Sequence, residues 1–151
     1  MSNFYTHGSY VPPKSKAQIA QLTDAMRQQY GITGFFPVIE YLEYVSMDFE
    51  VKSIEQMGDN LGLTKPDGSI WLREDVYDGA CDDVGFHRFT VAHEIGHALM
   101  HKEHIGFARN FNISDKIFCN SEWQANEFAG SLLIPKEEIQ GKILTATAVS
   151  K

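Results

Sequence analysis

The sequence has few of the features that mark secreted, membrane-spanning or disulfide-rich proteins. Its two cysteines, Cys81 and Cys119, are too few for a scaffold of disulfides. No window approaches the roughly 18 apolar residues of a membrane span. The first ten residues also lack the basic stretch and apolar run of a signal peptide. These absences predict a soluble, cytoplasmic protein with no membrane partner.

Positive charge is also scarce. The 151 residues include 13 Lys and Arg against 20 Asp and Glu, so the formal net charge is −7. The basic residues are scattered and form no stripe that could follow a phosphate backbone. Direct binding to nucleic acid is therefore not expected.

Apolar spacing predicts an α+β domain, with helices around a small mixed or antiparallel sheet. Strict alternation predicts a strand over Met47–Lys52, with Met47, Phe49 and Val51 on its buried side. The turn residues from Lys65 to Gly68 predict a hairpin over Leu61–Arg73. Helical spacing covers Lys14–Tyr30, Phe35–Val45, Phe86–His101, Ser121–Leu133 and a short segment from Lys136 to Gly141.

Length and composition predict one domain. A chain of 151 residues with 43% hydrophobic residues can bury one core, and no linker or repeat divides it. We expect a single domain over residues 1–151, with a loose N-terminal segment at 1–13 and a flexible tail at 142–151.

The stretch from His93 to His97 reads H-E-I-G-H and lies within a predicted helix. Because an α-helix advances about 100° per residue, His93 and His97 lie on one face, one turn apart. This is the arrangement in which two neutral histidines hold Zn²⁺ and the glutamate, here Glu94, takes a proton from the metal's water. Apolar residues surround both sides of the helix, so we expect it to be buried nearly all round.

A catalytic zinc site needs a third protein ligand and one open position. His101 is excluded, because about 12 Å of helical rise separates it from His93. Glu122 lies about 50° from the centre of the apolar face of the helix from Ser121, and a buried carboxylate needs a cation, a proton or a metal. Glu122 is therefore the predicted third ligand. Asn126, one turn further on, is placed to accept a hydrogen bond from a ligand imidazole.

Two long motifs resemble the ImmA/IrrE-type metallopeptidases of bacteria, their phages and mobile elements. They are R-F-T-V-A-H-E-I-G-H-A-L-M-H from Arg88 to His101 and E-W-Q-A-N-E-F-A-G-S-L-L-I-P from Glu122 to Pro135. Ile70-Trp71 and Phe89 are also similar to family features. The resemblance implies a reduced zincin fold in which His93, His97 and Glu122 bind Zn²⁺ and Glu94 is the catalytic base. It further implies a peptidase that cleaves a helix-turn-helix transcriptional repressor as its protein substrate.

Other interpretations stay open. The protein could be a non-catalytic regulator or a toxin-antitoxin component that binds a repressor stoichiometrically. The zinc site could be structural and closed by a fourth side chain such as Cys119 or His104. Tyr77 and His104 are candidate donors to a developing oxyanion. By analogy with other metallopeptidases, the Ser69–Leu72 strand is the candidate sheet edge for substrate. Cys81 is expected to lie in an acidic loop.

Overall fold

The computed structural model describes residues 8–45, 47–103 and 109–134, and its architecture is the predicted α+β domain. None of the helices within these ranges combines the length and the apolar content that a membrane crossing requires. The predicted segment from Lys136 to Gly141 and the predicted tail lie outside the described residues. The elements are helices α1 (Lys16–Tyr30), α2 (Val38–Tyr44), α3 (Ile54–Met57), α4 (Glu74–Cys81), α5 (Gly85–Met100) and α6 (Ser121–Leu133), a 3-10 helix (Ile117–Cys119), and strands β1 (Phe49–Lys52), β2 (Gly62–Thr64) and β3 (Ile70–Arg73).

Local capping residues set the ends of α1. The Ser15 hydroxyl accepts a hydrogen bond from the backbone N–H of Gln18, and the Gln18 side chain accepts one from the backbone N–H of Ser15. Gly31 ends the helix in the left-handed conformation, at φ 63°. The helix therefore begins two residues later than predicted and ends where predicted.

The three strands form one mixed sheet in the order β1-β3-β2. β2 and β3 pair antiparallel, which confirms the predicted hairpin, and β1 pairs with β3 in parallel. The proposal that Ser69–Leu72 is the sheet edge is wrong. β3 is central because it pairs with a strand on each side, and its Ile70 and Leu72 side chains are fully buried. The two edge strands are β1 and β2.

Strand β1 is shorter than predicted and only partly follows its predicted alternation. It begins at Phe49, and Met47 and Phe49 pack against the core. Val51 was expected on the same buried side but is 43% exposed. It belongs to an edge strand, which has a neighbouring strand on one side only.

Helix α4 was not predicted from the sequence. Its buried residues Val76 and Ala80 are four positions apart and face the core, while Glu74 and Asp75 occupy its first turn. Cys81 is the last residue of this helix and is exposed, so its placement in an acidic loop is wrong. The acidic first turn suits the positive end of a helix dipole.

Helices α5 and α6 pack closely at the centre of the molecule. The Phe128 ring of α6 lies over Gly96 of α5, where an added Cβ would come within 2.9 Å of the ring. Ile95 and Phe128 are fully buried. Burial of α5 is less complete than expected, since Phe89 is 36% and Leu99 is 43% exposed.

Residues 8–13 are more firmly held than the loose N-terminal segment that was expected. The backbone N–H of Tyr10 donates to the carbonyl of Arg109, and that of Val11 donates to the carbonyl of Cys119. Val11 is 2% exposed. This part of the segment therefore lies against the chain that precedes α6. Residues 1–7 lie outside the described residues.

Two glycines of these helices provide a test of the packing. We expect Gly96→Ala to destabilise the fold by about 1–3 kcal/mol, because the added methyl group overpacks the contact with Phe128. Gly130→Ala on α6 is the matched control, since nothing lies within 4 Å of the added Cβ. It should stabilise the fold by about 0.5–1 kcal/mol. Urea unfolding curves measure both, and equal effects of the two changes would contradict the described contact.

Candidate metal centre

Helix α5 places two imidazoles side by side at the centre of the molecule. The Nε2 atoms of His93 and His97 are 3.1 Å apart, and the ring centroids are 4.6 Å apart. Both side chains are mostly buried, with 15% and 12% of their surface exposed. The two histidines therefore direct the same ring nitrogen at a shared point.

Helix α6 brings one carboxylate to the same point. Glu122 Oε1 lies 3.2 Å from His93 Nε2, and Oε2 lies 2.8 Å from His97 Nε2. Ligand atoms of these three residues all lie within 4.8 Å of one another. The side chain of Asn120 fixes the start of α6 by accepting hydrogen bonds from the backbone N–H groups of Glu122 and Trp123.

The donor atoms suit a catalytic zinc ion. Two imidazole nitrogens and one carboxylate oxygen form a set that catalytic zinc sites use, with the fourth position left for water. The three residues border a cavity of about 310 Å³ that also exposes Glu94, β2 and the Ser9–Val11 segment. The arrangement therefore offers both a metal-binding group and adjoining space for a substrate.

Glu94 is held against the sheet edge beside this group. It is 7% exposed, and the Thr64 hydroxyl donates a 2.7 Å hydrogen bond to its Oε1. Gly62 gives the side chain room, since a Cβ there would lie 2.8 Å from Glu94 Cγ. The carboxylate thus has a fixed orientation on the wall of the cavity and is absent from the metal-binding group.

Comparison with family models decides which family this is. The peptidase M78 model, the IrrE N-terminal-like domain, matches residues 55–146, which is more than half of the chain. The chain belongs to this peptidase family. The resemblance to ImmA/IrrE proteins is thereby confirmed. Searches of curated proteins and of solved structures gave no match.

Each histidine of the pair contacts a further side chain through its Nδ1 atom. His93 Nδ1 lies 2.7 Å from Asn126 Oδ1. The amide oxygen accepts a hydrogen bond from Nδ1–H, so the lone pair of Nε2 is available to a metal. His97 Nδ1 lies 2.9 Å from His101 Nδ1. The contact of Asn126 is the one that the sequence predicted. The contact of His101 was missed, although a residue four positions after His97, at the C-terminal cap of α5, lies next to it.

Burial and charge set the protonation of the group. Burial disfavours the charged form of His93, but the hydrogen bond with Glu122 and the nearby carboxylates outweigh it and raise the pKa of His93. Burial likewise opposes ionisation of Glu122, yet its hydrogen bonds with His93 and His97 hold its pKa well below the usual range. Burial lowers the pKa of His101 to about 4. His101 is therefore neutral near pH 7.

The other sequence candidates lie elsewhere or outside the described residues. Tyr77 stacks on Phe49, with the ring centroids 6.3 Å apart, and does not line the cavity. Cys119 is buried and is absent from the metal-binding group of the described residues. His104 lies outside the described residues.

The metal-binding group can be tested by heat denaturation. We expect Zn²⁺ to raise the melting temperature, because a ligand that binds only the folded state adds about 2.7 kcal/mol at 100 times its dissociation constant. Glu122→Ala should remove most of this shift, since it removes the only oxygen donor of the group. Glu127→Ala, on the same helix but near Lys16, is the control and should keep it. An equal Zn²⁺ shift in both variants would mean that the ion binds elsewhere.

Proposed function

We propose that this chain is a zinc-dependent endopeptidase of the H-E-x-x-H type. The observation that carries the proposal is the convergence of His93, His97 and Glu122 beside the fixed carboxylate of Glu94. Membership of a peptidase family supports the same conclusion. A structural zinc site would need a fourth side chain, and the group offers three in the described residues.

In this proposal each residue has a separate task. His93, His97 and Glu122 would hold the ion, which when bound supplies an acidified water and polarises the scissile carbonyl. Glu94 takes a proton from the attacking water and later gives it to the leaving amine. The Thr64 hydroxyl holds the Glu94 carboxylate in place on the wall of the cavity. Asn126 keeps the His93 ring in the orientation that presents Nε2.

Strand β2 is the proposed docking edge for the substrate. The carbonyl of Leu61 accepts from Arg73 N–H, and Lys65 N–H donates to the carbonyl of Ser69. Since antiparallel pairs alternate, the backbone groups of Gly62 and Thr64 face away from β3. A peptide added there as a strand would run along the wall that carries Glu94.

The proposed substrate is a helix-turn-helix transcriptional repressor, cleaved in the cytoplasm to relieve repression. The family resemblance supports this substrate class. The net charge of −7, without a basic stripe, favours a protein partner over direct contact with DNA. A stoichiometric regulator that binds the repressor without cleaving it is the alternative that experiments must separate.

Glu94→Gln separates hydrolysis from binding. We expect it to lower cleavage of a proteome-derived peptide library by about 10²–10⁴-fold, because the amide cannot act as the base. Fold and Zn²⁺ binding should persist, since the residue is outside the metal-binding group. Mass spectrometry of the cleaved peptides measures the rate, and Glu103→Gln, an exposed change beyond this cavity, is the control. Unchanged cleavage by Glu94→Gln would refute the proposed base.

Co-expression tests the substrate. We expect a helix-turn-helix repressor encoded beside the gene to be cut at one site by the unaltered protein with Zn²⁺. It should stay intact with Glu94→Gln or after chelation. Intact-mass analysis of the repressor locates the cut. A repressor that forms a stable complex with both proteins and is cut by neither would establish the stoichiometric regulator instead.

A further inference from the structure

The side chain of His97 has a second contact that the proposed mechanism does not use. Its Nδ1 atom faces Nδ1 of His101 at 2.9 Å, just beyond the end of α5. In any hydrogen bond between two imidazole nitrogens, one must carry the proton and the other must present a lone pair. Which of them does so decides whether His97 Nε2 can bind a metal.

Gln124 of α6 determines which nitrogen carries the proton, because only one orientation of its amide group fits its hydrogen-bond partners. Its Nε2 donates to two backbone carbonyls, of Pro12 at 2.9 Å and of Phe118 at 2.8 Å. Carbonyl oxygens only accept, so the amide nitrogen must be on that side. The amide oxygen is therefore the atom that lies 2.7 Å from His101 Nε2.

The proton positions then follow along the chain of contacts. His101 Nε2 must carry a proton, because its neighbour is an acceptor. When His101 is neutral, its Nδ1 presents a lone pair, and His97 Nδ1 must donate to it. His97 is left with an unprotonated Nε2, which is the atom directed at Glu122 and His93.

We propose that His101 and Gln124 are positioning residues that fix the tautomer and ring orientation of His97 for metal binding. This inference rests on the proposed function, because it takes His97 Nε2 as a metal ligand. Both residues are almost fully buried, with His101 2% and Gln124 0% exposed, so the protein itself must supply their hydrogen-bond partners. His93 obtains the same result from a single residue, Asn126.

The hydrogen bonds from His97 through His101 to Gln124 also connect the metal-binding group to the backbone around it. Gln124 is anchored to Pro12, just before α1, and to Phe118 in the 3-10 helix. The position of His97 thus depends on two segments that do not border α5 in sequence.

Nuclear magnetic resonance on the unaltered protein tests the proton order directly. Long-range ¹H–¹⁵N spectra should show His101 protonated at Nε2 and unprotonated at Nδ1, with and without Zn²⁺. A scalar coupling between the Nδ1 atoms of His97 and His101 should reveal the hydrogen bond. A proton on His101 Nδ1 in the zinc-bound protein would overturn the proposal.

Two substitutions at position 101 separate positioning from packing. His101→Phe keeps the ring but loses the acceptor, so we expect the dissociation constant for Zn²⁺ to rise about 10–100-fold. His101→Asn can restore an acceptor near the position of Nδ1 and should recover most of the affinity despite its smaller size. Competition with a chelator measures the affinity, and melting of the metal-free proteins measures the fold. Affinity that follows side-chain size rather than the acceptor would refute the proposal.

Gln124→Met is the second variant, in case changes at position 101 prevent folding. It keeps the length of the side chain but removes the acceptor for His101 and the two donors, so Zn²⁺ affinity should again fall. None of these readouts requires cleavage. A protein with the predicted proton order and affinities but no peptidase activity would refute the proposed function and leave this inference standing.

Discussion

The contact between α5 and α6 is the constraint on which the candidate metal centre depends. Gly96 has no side chain, so the ring of Phe128 can lie directly on the α5 backbone. This close approach brings the first turn of α6 within reach of His93 and His97, and Glu122 then spans both imidazoles. A wider separation would leave the histidines without their carboxylate. The geometry of the site therefore depends on the packing of the core between these two helices.

The sheet and the N-terminal segment complete the cavity from the other sides. β2 contributes Gly62 and Thr64, which give Glu94 its space and its hydrogen bond. The Ser9 backbone accepts from the N–H of Ser121, so the segment before α1 is tied to the start of α6. Four parts of the chain that are distant in sequence thus meet around one group of polar side chains. Each of these parts supplies hydrogen-bond partners to another, and buried polar groups require such partners.

Periodicity within single helices made the metal-binding group predictable, whereas contacts between elements were not. His93, His97 and Glu122 could be chosen because a helical face follows from residue spacing alone. The C-terminal end of α1 could be placed because Gly31 acts locally, whereas its start was predicted two residues too early. The central position of β3 depends on its pairing with β1 across the chain, and no local pattern encodes that order.

The sequence excluded His101 as a metal ligand, but its contact with His97 was not predicted. The rise of a helix correctly separates it from a metal held by His93, but the same rise places it next to His97. What the sequence could not show is Gln124, whose orientation depends on the carbonyls of Pro12 and Phe118. The donor order can be deduced only when both helices and both backbone segments are in place.

The hydrogen-bond partners of His93 and His97 also affect the balance of charge at the candidate metal centre. The Nδ1 partners of the two histidines are an amide oxygen and another histidine, and neither adds negative charge. Among the described residues, the carboxylates that line the cavity are Glu94 and Glu122, whose two negative charges a divalent cation would balance. The hydrogen bond with Glu122 and the charges of the same two carboxylates raise the pKa of His93. Metal and protons therefore compete for the same nitrogens, because a histidine must be unprotonated to bind a metal.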